Sequence, residues 1–414
     1  MSRNTCAAMV ALALASPALA TDGYFSLGYG TPYIGMAGAG VALPLNTIGP
    51  ATNPAGNAFL TGYDLSVAVF NPNREFTVTG NPSGYPGTFG LQPGTVKSDT
   101  SIFLMPTLGA NWKLSESMTL GVAIYGNGGM NTTYDAPVFY AGRTGVDLAQ
   151  MFVAPTLTYK VTKDHAFGFS PIICYQRFQV EGLGSFAPYS GNAANLSNNG
   201  HDTALGVGGR IGYLGKLTTW LSVGAAYQTE IEMGHFHEYE GLFAEVGDFD
   251  IPANWTVGVA VKPAESLTVA FDVQTINYSE TESIGNPMLP NLMQAPLGAD
   301  GGAGFGWRDV TTYKLGLQWV ASPDWTLRAG YAHCRQPIPE SEVLFNILAP
   351  GVVEDHITAG LSRTLGGKSV LHFSVMYAPA NTVSGPNPLE APGQQRIELK
   401  MSQWMFDLGL SFRF

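Results

Sequence analysis

Two basic side chains, Lys314 and Arg328, are the residues whose type and position point most directly to chemistry. Each lies in a segment where polar and apolar residues alternate, and each is on the polar side of that alternation. A basic pair that faces an apolar space could hold a carboxylate through charge-assisted hydrogen bonds. A salt-bridge network with Asp272, Asp324 or Asp407 is the alternative, and the sequence leaves both interpretations open. Three other arginines are further candidates for binding a carboxylate: Arg143, Arg177 and Arg308.

Other reactive residue types occur without a catalytic or metal-binding pattern. His235 and His237 stand next to glutamates, but no second ligand set accompanies them, so we interpret this run as a surface charge cluster and predict no metal and no cofactor. The histidines are scattered and no GxSxG motif is present, so we predict no catalytic residue and no enzyme. Cys174 and Cys334 could form a disulfide, but two unpaired cysteines are the favoured interpretation.

The composition points to a protein that lies in a membrane without membrane helices. The chain has 414 residues, a formal net charge of −11, 51 glycines and 12% charged residues. Soluble domains usually contain about 25% charged residues. There is no run of 18 apolar residues, which a membrane-spanning helix requires. A charge-poor, glycine-rich and aromatic-rich chain favours a transmembrane β-barrel, and its acidic balance argues against nucleic-acid binding.

Residues 1–20 are predicted to be a secretory signal peptide. Arg3 supplies the positive charge, a short apolar stretch follows, and Ala18-Leu19-Ala20 forms a small-x-small cleavage site. The mature chain is therefore expected to begin at Thr21.

From Tyr63 onward, apolar and polar residues alternate in segments that are separated by turns. Alternation with a period of two places one face of a strand in lipid and the other in the lumen. The last segment shows this best, because one face carries Trp404, Phe406, Leu408, Leu410, Phe412 and Phe414. We predict fourteen strands near residues 63–71, 99–114, 117–127, 149–162, 165–180, 202–215, 218–232, 253–262, 266–279, 308–320, 324–334, 355–365, 368–378 and 401–414.

The connections between these segments alternate between six short turns and seven long loops. An even-stranded antiparallel barrel with both termini on the periplasmic side requires this alternation. Residues 21–62 do not have the pattern of a strand and are rich in Gly, Ala and Pro. We predict a fourteen-stranded antiparallel transmembrane β-barrel over residues 63–414, with residues 21–62 forming an N-terminal plug (hatch) inside its lumen.

Several motifs, taken in order, resemble the FadL/TodX family of outer-membrane transporters for long-chain fatty acids and aromatic hydrocarbons. The resemblance covers essentially the whole mature chain. The segments that carry it are Gly35-Met36-Ala37-Gly38-Ala39-Gly40, Asn53-Pro54-Ala55, Tyr125-Gly126-Asn127-Gly128-Gly129-Met130-Asn131-Thr132, Gly304-Phe305-Gly306-Trp307-Arg308-Asp309, Gln336-Pro337-Ile338-Pro339, Phe345-Asn346-Ile347-Leu348-Ala349-Pro350-Gly351 and Glu354-Asp355-His356.

The resemblance implies passive uptake of a hydrophobic ligand, most of all a long-chain fatty acid, through an outer groove and a lumen pocket. Movement of the plug would then let the ligand leave sideways through a gap at a kink in the third strand. Gly126, Asn127, Gly128 and Gly129 are the expected kink, with ordinary loop glycines as the alternative. Asn53, Pro54 and Ala55 are expected to form a plug turn that contacts this opening.

Two apolar loop segments are candidates for the outer groove, since exposed apolar patches usually mark binding surfaces. Packing of the loops over the barrel mouth is the alternative. The candidate residues are Leu289, Leu292, Met293, Phe345, Ile347 and Leu348. Other expected partners are outer-membrane lipid and lipopolysaccharide, and the barrel-assembly machinery through the C-terminal Phe414; we expect a monomer. Uptake of aromatic or alkane hydrocarbons, or a role as a surface adhesin or receptor, are the alternative functions.

Overall fold

The structure is a computed structural model that describes residues 22–366 and 368–414. The predicted signal peptide therefore lies outside the described residues, as does Gly367 in one of the predicted short turns.

Fourteen antiparallel strands form one closed sheet, as the sequence predicts. The first and last strands close the barrel in a ladder that runs from Tyr63 opposite Phe412 to Thr79 opposite Arg396. The strands are β1 (Gly62–Thr79), β2 (Phe103–Lys113), β3 (Met118–Tyr134), β4 (Thr144–Lys160), β5 (His165–Glu181), β6 (Asp202–Lys216), β7 (Leu221–Gln228), β8 (Asn254–Ala264), β9 (Leu267–Ile276), β10 (Val310–Val320), β11 (Trp325–Cys334), β12 (Asp355–Thr364), β13 (Ser369–Pro386) and β14 (Arg396–Phe412).

Side chains alternate between the lipid face and the lumen along these strands. In β14, Trp404, Phe406 and Leu408 are exposed, whereas Met405 and Asp407 between them are buried. The exposed set is apolar because it faces hydrocarbon, and the buried set faces the plug. The period-two pattern of the sequence therefore corresponds to side chains that face lipid and lumen in turn.

Several strands extend further at the long-loop end than the sequence predicts. β1 continues to Thr79, β3 to Tyr134 and β13 to Pro386, and β14 begins at Arg396. In the upper part of β1 the outward positions carry polar residues such as Asn73 and Glu75. These positions lie beyond the apolar band, so the alternation of apolar and polar residues ends before the hydrogen-bonded ladder does.

The long connections contain short helical turns and two short strands at the same end of the barrel. None of the described helices is long and apolar enough to cross a membrane. The α-helical turns in these loops are Ala244–Gly247, Glu282–Gly285 and Asn291–Gln294; the 3-10 turns are Gly184–Tyr189, Ala193–Asn195, His237–Tyr239, Tyr278–Glu280, Glu340–Glu342 and Phe345–Ile347; the short strands are Gly94–Lys97, beside β1, and Glu232–Met233, beside β6.

The segment before β1, residues 22–61, fills the lumen and is called the plug below. It contains the α-helical turn Thr31–Ile34 and the 3-10 turns Gly49–Ala51 and Pro54–Phe59, and almost all of its residues are buried. Its apolar side chains, such as Tyr24 and Phe25, pack against aromatic residues of the long loops. The aromatic residues of the N-terminal segment are therefore kept away from water.

Inward-facing carboxylates of the wall hold the plug by its backbone and hydroxyl groups. Asp272 of β9 accepts hydrogen bonds from the backbone N–H groups of Gly40 (2.7 Å) and Val41 (2.8 Å). Asp407 of β14 accepts one from the hydroxyl of Thr31 at 2.7 Å. These two carboxylates serve the plug rather than the predicted salt bridges with Lys314 and Arg328.

Candidate functional site

An apolar cavity of about 530 Å³, called the outer pocket, lies under the long loops. It is lined by residues at the upper ends of β4 and β5 and by the loops that follow β5, β7, β9 and β11. Its aromatic lining is Phe178, Phe186, Phe243, Phe305 and Phe345. No Lys, Arg or His is among the described residues that line it. The composition of this pocket favours an apolar ligand, and it offers no cation for an acid group.

Contacts between rings from different elements hold the outer pocket in shape. The ring centroids of Phe178 in β5 and Phe243 in the loop after β7 are 4.7 Å apart. Those of Phe186 in the loop after β5 and Phe345 in the loop after β11 are 5.4 Å apart. Such tilted and edge-to-face contacts favour fixed ring positions. The pocket therefore depends on three different loops being folded together.

The predicted loop residues have different positions relative to this pocket. Phe345 and Leu348 line it. Leu292 and Ile347 are buried in the apolar cluster around it, and the half-buried Leu289 packs against that cluster. The side chain of Met293 is 59% exposed.

A buried hydrogen-bonded pair joins two of the loops above the lumen. The indole N–H of Trp307 donates to Asn346 Oδ1 at 2.6 Å. Asn346 Nδ2 in turn donates to the carbonyl oxygens of Phe305 (2.7 Å) and Glu342 (2.8 Å). Both side chains are buried, so removing one of them would leave a polar group of the other buried without its hydrogen-bond partner.

Aromatic rings continue from the outer pocket to the plug. The ring centroids of Phe305 and Trp307 are 6.3 Å apart, and those of Trp307 and Tyr24 are 6.0 Å apart. Tyr24 and Phe25 are neighbours with centroids 5.3 Å apart. An apolar surface therefore leads from the pocket to the N-terminal end of the plug.

The wall is interrupted between β2 and β3. Their ladder runs only from Lys113 opposite Thr119 to Leu108 opposite Ile124. Residues Phe103–Thr107 of β2 pair with β1, and the upper part of β3 pairs with β4. The two sides meet again where the N–H of Asp99 donates to the carbonyl of Thr133 at 2.7 Å. We call the interval between Leu108 and Asp99 the wall gap; it includes Pro106, which has no N–H to donate.

β3 contains a β-bulge beside the wall gap, at the glycines where the sequence suggested a kink. Gly126 lies opposite Met151 and Gly129 opposite Ala149, so Asn127 and Gly128 together face one residue of β4. A bulge of this kind bends its strand and breaks the ladder locally. The bulge accompanies the separation of β3 from β2.

The plug meets the bulge through its first described residues. Phe25 forms an antiparallel bridge with Gly128. The N–H of Ser26 donates to the carbonyl of Asn127 at 2.9 Å, and the N–H of Gly129 donates to the carbonyl of Tyr24 at 3.1 Å. A Cβ on Gly128 would overlap the carbonyl oxygen of Tyr24, so this close approach requires glycine.

The Asn53-Pro54-Ala55 turn lies at a different place from the one that we expected. Asn53 Nδ2 donates to the carbonyls of Val41 (2.7 Å) and Tyr213 (2.9 Å), and its Oδ1 accepts from the N–H of Ala55 at 3.0 Å. The carbonyl of Pro54 accepts from the Thr158 hydroxyl at 2.8 Å. The turn therefore packs on β4, β5 and β6, whereas Tyr24–Ser26 and the hydroxyl of Tyr29, which donates to Asn127 Oδ1 at 2.9 Å, contact the bulge.

Lys314 is buried against the plug. Its Nζ donates to the carbonyl of Leu27 (2.7 Å) and to Gln274 Oε1 (2.8 Å), and it lies 3.4 Å from a carboxylate oxygen of Asp22. The residue is 4% exposed. It lines a separate small cavity, together with Arg210, between the plug and β6–β10.

Arg328 is not next to Lys314. Lys314 lies opposite Ala332 in the β10–β11 ladder, which is four residues from Arg328, or roughly 13 Å along the strand. Arg328 donates to Gln318 Oε1 at 2.8 Å and to the hydroxyl of Ser362, near the short-turn end of the barrel. The structure therefore does not bring the two cations together at one carboxylate site.

The two remaining cysteines are both free and buried. They lie on β5 and at the end of β11, and the structure contains no disulfide between them.

Some residues of the site carry no individual signal in the sequence. Trp307 and Asn346 lie within the family-like motifs, but their types alone do not reveal that they pair across two loops. Phe178 and Phe243 are single aromatic residues among many. Phe25 belongs to a segment without periodicity, and its bridge to Gly128 depends on the fold of the whole plug.

Comparisons with known proteins agree with this architecture. Residues 26–414 match the family model described as outer membrane protein transport protein (OMPP1/FadL/TodX). No curated protein matches the chain by sequence. The matching structures include the P. putida toluene transporter TodX, with a TM-score of 0.69 and 18% identity over 94% of this chain and 99% of that one.

Two further structures show the same fold. A FadL homologue from Pseudomonas aeruginosa has a TM-score of 0.68 and 16% identity, over 95% of this chain and 100% of that one. The Ralstonia pickettii toluene transporter TbuX has a TM-score of 0.64 and 18% identity, over 94% of this chain and 99% of that one.

The family match covers most of the chain, and its members are transport channels rather than enzymes. Together with the closed barrel, its plug and its apolar pocket, this match shows that the chain is a bacterial outer-membrane protein that belongs to the OMPP1/FadL/TodX family of transporters for hydrophobic compounds.

Proposed function

We propose that this protein takes up small neutral hydrophobic molecules, above all aromatic hydrocarbons, across the outer membrane. The observation that carries this proposal is the outer pocket, whose lining is aromatic and aliphatic and contains no cation among the described residues. A carboxylate buried there would lack an ionic partner, at a cost of several kcal/mol. A hydrocarbon has no such cost and gains about 0.8 kcal/mol for each buried CH₂.

The fold relatives support the same substrate class. TodX and TbuX are named toluene transporters, and another structure of this fold is named a monoaromatic hydrocarbon channel. At 16–18% identity these likenesses concern the fold. The aromatic lining of the outer pocket is the feature of this chain that supports the same substrate class as in those proteins.

We further propose a lateral route out of the barrel. A ligand would leave the outer pocket past Trp307 when Tyr24–Ser26 withdraws from the β3 bulge, and it would enter the membrane through the wall gap. Exit into lipid never exposes the ligand to water, so the hydrophobic effect alone can drive the transfer.

Long-chain fatty acids are the second candidate substrate, and one observation favours them. The cavity beside the plug is lined by the buried cations Lys314 and Arg210, and Arg210 is hydrogen-bonded to neutral oxygens of Pro50, Ala51, Gln228 and Tyr125. A fatty acid whose carboxylate replaced the contact of Lys314 with Asp22 would use this cavity. The sequence-based choice of Lys314 as a ligand belongs to this candidate.

Binding of toluene and oleate to the purified protein tests these two candidates. We expect toluene to bind, and Phe345→Ala to weaken its binding about tenfold, the effect of about 1.4 kcal/mol. Met293→Ala is the matched control, since this exposed side chain in a neighbouring loop does not line the pocket. Tight binding of oleate that is lost in Lys314→Met, together with weak toluene binding, would select the fatty-acid candidate instead.

The other partners are proposed on the sequence alone. We propose that exposed Phe414 serves recognition by the barrel-assembly machinery, and that outer-membrane lipid and lipopolysaccharide surround a monomeric barrel. We also propose residues 1–20 as the signal peptide and residues 21–62 and 63–414 as the plug and barrel domains.

A further inference from the structure

A second cavity, larger than the outer pocket, lies at the short-turn end of the barrel. Its lining comes from the plug, from the turns that follow β4 and β6, and from the adjoining ends of β6, β7 and β8, and we call it the periplasmic cavity. Its apolar lining includes Leu43, Phe59, Leu60, Leu217 and Trp220. It is separate from the outer pocket and from the wall gap, with which it shares no lining residue.

Lysines of three wall strands point toward the lumen at this cavity. Lys160, Lys216 and Lys262 continue the inward rows of β4, β6 and β8, in which Thr158, Leu214 and Ala260 are buried. Their ammonium groups therefore belong to the barrel mouth rather than to the lipid-facing surface. Lysines on the outer surface would bind lipid headgroups, whereas lysines on this face meet solutes from the periplasm.

The lysines surround an aromatic ring. The Nζ atoms of Lys216 and Lys160 lie 4.2 Å and 4.9 Å from the centroid of the Phe59 ring. Lys163, Lys216 and Lys262 line the cavity itself, whereas Lys160 reaches only the Phe59 ring. Asp164, which lies 4.0 Å from Lys163, is the only carboxylate among the described residues that line the cavity.

Positive charge exceeds negative charge in this lining, because Lys163, Lys216 and Lys262 are accompanied there by Asp164 alone among the described residues. The charges of Lys160 and Lys262 act on Lys216 and are only partly offset by that of Asp164, and like charges repel one another. A bound anion would relieve that repulsion. An apolar body attached to the anion would cover Phe59, Leu43 and Trp220, whose surfaces face the cavity.

We propose that the periplasmic cavity is a binding site for small amphiphilic anions, molecules that combine a carboxylate with an aromatic or short aliphatic body. The carboxylate lies between Lys216 and Lys262, and the apolar body lies on Phe59 and Trp220. This site is independent of the hydrocarbon route, because it faces the periplasm and uses charge where the outer pocket has none.

Trp220 is the reporter for a direct test. The full-length barrel is labelled with 5-fluorotryptophan, and the resonance of Trp220 is assigned by its loss in Trp220→Phe. Sodium benzoate is the probe, and benzyl alcohol is the neutral molecule of similar shape. We expect benzoate to shift the Trp220 resonance in a saturable manner, and benzyl alcohol to bind at least tenfold more weakly.

Lysine variants test which cations hold the anion. Lys216→Gln with Lys262→Gln is expected to weaken benzoate binding at least tenfold, and Lys262→Gln alone to weaken it less. The matched control is Lys113→Gln with Lys368→Gln, which removes two lysines from other short turns at the same end of the barrel. Folding of each variant is verified by its heat-modifiable migration on a gel.

Three results would overturn the proposal. One is an equal response to benzoate and benzyl alcohol, which would leave the lysines without a role. Another is unchanged benzoate binding in the double variant. The last is binding of a Glu-rich peptide without binding of benzoate, which would make the cavity a protein-docking surface.

Discussion

Phe25 of the plug and Gly128 of β3 form a backbone bridge at the one place where the β2–β3 ladder is interrupted. The N-terminal end of the plug thereby covers, from inside, a section of the wall that lacks a ladder. In the proposed lateral route, opening this section requires the bridge to break, and the barrel itself need not unfold.

Replacing Gly128 by Ala is expected to detach the plug from the bulge. A Cβ at this position overlaps the carbonyl oxygen of Tyr24, so the bonds between Ser26 and Asn127 and between Gly129 and Tyr24 cannot form together with it. Hydrogen exchange of the Ser26 and Gly129 amides should increase at least tenfold. Gly209→Ala is the control, because its Cβ would make only ordinary contacts. Unchanged protection at Ser26 would refute the close approach.

Removing the side chain of Asn53 is expected to loosen the plug at the periplasmic end. Asn53→Ala removes the cap of the Pro54–Phe59 turn and leaves the carbonyls of Val41 and Tyr213 without this donor. Losses of this type cost roughly 1–3 kcal/mol. Planar-bilayer recordings should show intermittent openings that the wild-type protein and an Asn73→Ala control lack. A closed Asn53→Ala channel would mean that other contacts suffice to hold the plug.

The pair of Trp307 and Asn346 is expected to stabilise the loops over the outer pocket. Asn346→Leu leaves the indole N–H and two backbone carbonyls buried without their partner, which should cost about 3 kcal/mol. Toluene binding should weaken accordingly, and proteolysis of the loops should become faster. Asn81→Leu, at an exposed position in another long loop, should change neither. Normal protease resistance in Asn346→Leu would contradict this role.

Acidic pH is expected to stabilise the loop after β7. Burial and the neighbouring Asp248 raise the pKa of Asp250 to about 7. A raised pKa means that the folded loop binds the proton more tightly than the unfolded one, so this contribution is complete below about pH 4 and is lost as the pH rises through 7. Asp250 Oδ1 accepts from the N–H of Met233 at 2.6 Å, an acceptor that Asp250→Asn retains.

Protection factors of the Ile231 and Ile251 amides, which bond to each other's carbonyls, report on this loop. Corrected for intrinsic exchange, they should fall roughly a hundredfold between pH 5 and pH 8, because the folded loop releases this proton near pH 7 and the unfolded loop releases it already near pH 4. In Asp250→Asn they should not change with pH. A protection factor that rises with pH in the wild-type protein would contradict this prediction.

Strands can be read from this sequence because the membrane imposes its pattern on them. Each lipid-facing position within the apolar band must be apolar, so the types of Leu408 and Asp407 indicate which face each residue occupies. Beyond the apolar band this constraint ends, and the upper parts of β1 and β13 resemble loops in sequence although they are paired in the ladder.

The site could be predicted only where a residue type carries geometric meaning by itself. The glycines of β3 indicated a bulge because glycine in a strand usually marks one, and the bulge is present. Lys314 indicated a ligand site, but its ammonium group is engaged by Leu27, Gln274 and Asp22 of the folded chain. Those partners come from distant segments, so spacing along the sequence could not reveal them.

Uptake by cells tests the central claim most directly. Bacteria that lack their own transporters of this family receive the wild-type protein, and the initial rates of labelled toluene and labelled oleate uptake are compared. We expect accelerated toluene uptake that Phe345→Ala reduces and Met293→Ala does not. Accelerated oleate uptake with no effect on toluene, from a folded barrel at the cell surface, would contradict it.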